Sequence, residues 1–82
     1  MSLQGEALEH LVKGIVDHPD DVRVRPSTNP RRGRSLIVHV HPDDMGRVIG
    51  RSGRTATALR TVIQALVPGR GVRIDFVDAD GR

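Results

Sequence analysis

The stretch Val48-Ile49-Gly50-Arg51-Ser52-Gly53-Arg54-Thr55 constrains this chain more than any other. A short apolar helical turn runs into Gly-x-x-Gly, and a second helix begins directly after it. Glycine has no Cβ, so the backbone can reverse sharply there and another chain can come close. The helix that follows offers unpaired N–H groups and the positive end of its dipole at the same point. Arg47, Arg51 and Arg54 surround it. The fold must therefore join a short helix to a longer one through a bare, cationic turn, and such a turn suits a nucleic-acid backbone.

Three phosphate-type patterns can be compared with this turn. A Walker A loop needs G-x-x-x-x-G-K-[ST]; here Val48 stands where the first glycine belongs and Arg54 replaces the lysine. A dinucleotide fingerprint needs G-x-G-x-x-G after a strand, and this turn follows a helix. The third is the helix–GxxG–helix of a KH domain, whose loop clamps a short single-stranded backbone, and it fits the residues and the charge.

Periodicity places the other elements. Residues 3–17 read as an amphipathic helix on Leu8, Leu11, Val12, Ile15 and Val16, with Leu3 and Ala7 extending the stripe, Ser2 as its cap and Pro19 as its stop. Val22–Arg25 alternates as a strand. Pro26–Gly33 carries turn residues and reads as a mobile loop. Ser35–His41 is the clearest strand, with Leu36, Val38 and Val40 on one face and Ile37, His39 and His41 on the other. Pro42-Asp43-Asp44 opens a short helix, where the acids suit the dipole, and Gly46 inside it suggests close packing. Residues 54–67 form a long helix on Ala56, Leu59, Val62, Ile63 and Leu66, ended by Pro68-Gly69. Gly71–Val77 is a third strand, and Asp78–Arg82 reads as frayed. The order αββααβ gives an α+β, two-layer domain with a three-stranded sheet and three helices on one face. The open face then shows Arg23, Arg25, His39, His41, Arg73 and Asp75.

Charge and composition narrow the function. Residues 1–21 carry −4, residues 22–73 carry +9 and residues 74–82 carry −2, for the net +3 of the 82-residue chain. A basic centre between acidic ends suits a polyanion. Phe76 is the only aromatic among Phe, Tyr and Trp, which argues against domains that stack bases on aromatic platforms. There is no cysteine, hence no disulfide or thiolate metal site. His39 and His41 share a strand face but lack a third ligand nearby. Arg31, Arg32 and Arg34 can touch RNA or form a solvated surface. No nucleophile–base constellation appears, so an enzyme is not expected, nor is a cofactor. No segment has the length of a membrane span and no signal-peptide pattern opens the chain, so a cytoplasmic protein is expected.

From about Leu8 to Val77, and most sharply from His41 to Thr55, the sequence resembles a bacterial-type (type II) KH domain, in particular the small single-domain RNA-binding proteins of the KhpA family. The resemblance implies one KH domain over residues 1–82, with its core at about 8–77. It also implies action as an RNA chaperone or post-transcriptional regulator, pairing with a larger multidomain KH protein, and influence on cell elongation and division, hence on cell shape. The site expected for single-stranded RNA is Arg47, Val48, Ile49, Gly50, Arg51, Ser52, Gly53, Arg54 and Thr55. Its bases would lie between Val48, Ile49 and the long helix on one side and the strand Leu36–Val40 on the other. The alternative is a dimerisation module, homo- or heterodimeric, with RNA bound mainly by a partner.

Overall fold

The computed structural model describes residues 3–31, 33–66 and 72–78. The elements are α1 (Leu3–Lys13), β1 (Arg23–Asn29), β2 (Gly33–Val40), α2 (Met45–Ile49), α3 (Arg54–Leu66) and β3 (Arg73–Asp78), with short 3-10 turns at Pro19–Asp21, Pro42–Asp44 and Arg51–Gly53. The sheet order is β1-β2-β3. β1 runs antiparallel to β2, with Val24 opposite Val38, and β3 runs parallel to β2, with Leu36 opposite Ile74. This is the α+β, type II KH arrangement expected, with the three helices on one face.

The core lies between the layers. Leu8 and Val12 of α1, Val22, Leu36, Val38 and Val40 of β2, Val48 of α2, Leu59 and Ile63 of α3, and Ile74 of β3 are all buried. Each contributes about 1.5–3 kcal/mol of transfer free energy. The amide of Gln4 donates to the Ile63 carbonyl at 3.4 Å, tying α1 to α3.

Several local expectations change. The first helix stops at Lys13 rather than at residue 17. Gly14 lowers helix propensity there, and its N–H is shared between the His10 and Leu11 carbonyls. Ile15 is left exposed, as are Leu3, Val62 and Leu66. The expected loop Pro26–Gly33 is instead mostly hairpin, because β1 extends to Asn29. Pro26 is tolerated because β1 is an edge strand, where a missing N–H breaks no ladder bond. The Asn29 carboxamide accepts the Arg31 N–H at 2.8 Å and shapes the turn. A Cβ on Gly46 would meet nothing within 4 Å, so close packing does not explain that glycine. The expected Ser2 cap, the Pro68-Gly69 stop and the frayed end lie outside the described residues, Asp78 excepted, which closes β3.

The other sheet edge, β3, is covered from above. Arg60 of α3 donates to the Ile74 carbonyl at 3.1 Å, and Gln64 donates to the Val72 carbonyl at 2.9 Å. These contacts set α3 antiparallel beside β3.

Candidate nucleic-acid interface

The turn between α2 and α3 is built by backbone conformation. Gly50 (φ 76°), Ser52 (φ 55°) and Gly53 (φ 74°) all take positive φ, a region that L-residues other than glycine rarely enter. Gly50 ends α2, its N–H bonding to the Gly46 carbonyl at 2.9 Å. Gly50 is doubly required, because an added Cβ would also meet the Thr55 side chain and stand 2.8 Å from the Thr55 nitrogen. At Gly53 the space is open and only the φ matters. The side chains of Arg51, Ser52 and Arg54 are exposed, and Gly50, Gly53 and Thr55 are partly so. The turn therefore presents bare backbone and two cations at the start of a 13-residue helix, where N–H groups and dipole both favour an anion. Among the described residues, neither Arg51 nor Arg54 has an acidic partner.

Other members of the expected site are placed differently. Val48 is fully buried and supports the turn from beneath, so its side chain cannot line a groove. Ile49 is half-buried against the core. Arg47 points its guanidinium at the α1–β1 connector, 3.0 Å from the Asp17 carboxylate and 4.0 Å from that of Asp44. Its charge is partly offset before any ligand arrives.

The expected second wall, Leu36–Val40, also changes. β2 is the central strand, so its backbone groups are consumed by ladders on both sides. Its Leu36, Val38 and Val40 side chains are core. The edge strand next to the turn is β3, against which α2 packs. Phe76 lies there half-buried, with the Arg60 guanidinium 5.9 Å from its ring centroid.

Behind the turn sits a polar cluster that sequence reasoning missed. Asp44 does not serve the helix dipole from the surface; it is 1% exposed. Its carboxylate accepts the backbone N–H groups of Asp17 (3.2 Å) and His18 (3.0 Å), and Oδ2 lies 3.0 Å from His18 Nδ1. Burial pushes the Asp44 carboxyl up, but these hydrogen bonds outweigh it and hold the group below the usual carboxylate value. The hydrogen bond to Asp44 raises the His18 imidazole above its usual value against a smaller desolvation effect. His41 accepts the Asp43 N–H at Nδ1 (3.1 Å) and stacks on His18, centroids 3.9 Å apart and planes 12° apart. Partners 26 residues apart left no local signal to find.

His18, His41 and Asp43 can bring one ligand atom each within 4.8 Å of the others. Both Nδ1 atoms are already bonded, and the in-plane lone pairs of nearly parallel rings do not converge as a tetrahedral ion requires. The group acts as a latch between the α1–β1 connector and α2. His39, on β2, is not part of it.

No helix among the described residues is long and apolar enough to cross a membrane. Residues 5–77 match the family described as KhpA/KhpB, KH domain. A Streptomyces coelicolor protein named RNA-binding protein KhpA is 72% identical over 75 residues, covering 92% of this chain and 92% of that protein. Proteins of the same name are similar at 67% identity in Mycobacterium tuberculosis, covering 92% of this chain and 91% of the relative, and at 51% in Halalkalibacterium halodurans, covering 87% and 95%. No solved structure matches the chain.

Proposed function

Because this chain belongs to the KhpA/KhpB family of KH domains, we propose that it binds single-stranded RNA and that the Gly50–Gly53 turn grips the backbone of about four unpaired nucleotides. The family is one of RNA-binding proteins and not of enzymes. The observation that carries the reading is the exposed turn itself, positive in φ at three of its four residues, with Arg51 within it and Arg54 beside it, neither of which has an acidic partner among the described residues.

In this reading residues 1–82 form one KH domain with its core at about 8–77. Gly50, Arg51, Ser52 and Gly53 hold phosphate and sugar, Arg54 and Thr55 bring the start of α3, and Arg47 adds charge once a phosphate competes with Asp17. Ile49 and α3 form one wall of the groove and β3 the other, while Val48 fixes the turn from below. A single site of this kind binds weakly, which suits an RNA chaperone or post-transcriptional regulator that works with a second RNA-binding module. The cytoplasm, where unpaired bacterial RNA is exposed, is the place of action.

The test is the double variant Arg51→Asp with Ser52→Asp, measured by fluorescence anisotropy on a single-stranded oligomer. Affinity falls by about tenfold or more, at ~1.4 kcal/mol per decade, with the circular dichroism unchanged. Undiminished binding by the folded variant would remove the turn from the mechanism.

A second reading has its own observation. Val62 and Leu66 on α3 are 47% and 43% exposed, an apolar stripe suited to a second copy or to a larger multidomain KH protein. Sedimentation of the wild type and of Val62→Glu separates the two cases: a dimer that Val62→Glu dissociates supports this reading, and a wild-type monomer at all concentrations removes self-association.

A further inference from the structure

The contacts of Arg60 with Ile74 and of Gln64 with Val72 fix the direction of α3 along β3. The Gly50–Gly53 turn, at the start of α3, therefore lies toward the Phe76–Asp78 end of the sheet. The start of β3, at Val72, lies at the other end, about 14 Å further along the helix at 1.5 Å per residue. At that far end, between the N-terminus of α1 and the β1–β2 hairpin, there is a cleft of about 320 Å³.

The cleft's lining is of two kinds. Leu36, Pro26 and Val72 give it an apolar floor. Thr28 and Arg34, paired on the same sheet face as Leu36, bring a hydroxyl and a guanidinium. The Ser35 side chain points to the opposite sheet face, where its hydroxyl donates to the Ser27 carbonyl at 3.4 Å across the hairpin. Arg34 is exposed and, among the described residues, has no acidic partner; Arg25 and Arg31 of the same hairpin have none either. An apolar floor, a hydroxyl and one guanidinium without an acidic partner among the described residues match the three parts of a nucleotide: base, ribose and phosphate.

We propose that this cleft is a second nucleotide subsite, which takes one unpaired residue of the same RNA that the Gly50–Gly53 turn holds, with its phosphate on Arg34. The proposal rests on the RNA-binding reading above but not on the turn's part in it. Charge favours this occupant over an acidic peptide, because the arginines of the hairpin and those of the turn sit at opposite ends of one short domain, and a single extended polyanion can satisfy both.

The experiment compares two single-stranded RNA oligomers, one of about four nucleotides, the length a KH loop clamps, and one about three times longer. Arg34→Glu weakens binding of the longer oligomer by about tenfold, leaves the short one unchanged, and lowers the salt slope on the longer one by about 0.7, the share of one phosphate. Arg31→Glu, at the hairpin tip and outside the cleft, has a smaller effect. In the wild type, NMR shows the Thr28 and Val72 amides shifting with the longer oligomer and not with the short one, a readout that needs no variant. Equal losses on both oligomers, equal effects of Arg31→Glu and Arg34→Glu, or amides that stay still with the longer oligomer would overturn the subsite. The turn fails separately: if Arg51→Asp with Ser52→Asp leaves the short oligomer bound while Arg34→Glu still weakens the longer one, the cleft stands and the turn does not.

Discussion

At the scale of single residues, two glycines four positions apart behave oppositely. Gly50 needs its positive φ, and a Cβ there would press on Thr55. Gly50→Ala is therefore destabilising by about 1–3 kcal/mol, read from chemical denaturation. Gly46 lies in α2 with open space where a Cβ would go. Gly46→Ala is stabilising by about 0.5–1 kcal/mol, a rise of several degrees in Tm. The sequence distinguished neither case. It identified Gly50 from its place in Gly-x-x-Gly, and it read Gly46 as a packing site because glycine in a helix invites that reading. Asp44 was misjudged for a similar reason: an acid at a helix start is ordinarily a surface charge, and only the approach of the Asp17–His18 connector makes it a buried acceptor.

Between elements, the latch gives the fold a pH dependence. His18, held above its usual 6.5, adds stability that is complete below that value and is lost as pH rises through the raised one. Asp44, held below 3.8, adds stability that is present above that value and is lost as pH falls through the lowered one. Stability attributable to the pair is thus greatest between these ranges, and Tm falls as pH is raised from mildly acidic to mildly alkaline. His18→Gln flattens that slope, and Asp44→Asn lowers Tm across the whole range because one of its acceptor oxygens becomes a donor facing N–H groups. Thermal melts across pH check both. Periodicity made α3, β2 and β3 legible. It missed the extent of β1 because Pro26 and its polar neighbours lie on an exposed edge strand and show no apolar alternation.

For the whole molecule, charge segregation was plain in the sequence, while the order of the strands in the sheet was not. Which strand is central depends on sheet order, and the parallel pairing of β2 with β3 is a property of the chain's return path rather than of any residue in β2. Binding of a short oligomer through two or three phosphates has a log–log salt slope of about −2; a slope near zero in an anisotropy titration would contradict backbone gripping. Substituting both Arg60 and Gln64 with Ala exposes the carbonyls of β3 and produces thioflavin-positive aggregates on long incubation, where the wild type stays clear. The proline on one flank and the arginine–glutamine pair on the other each interrupt the row of backbone groups that a neighbouring copy would need to lengthen the sheet. Copies crowded along one transcript are thereby steered away from pairing edge to edge.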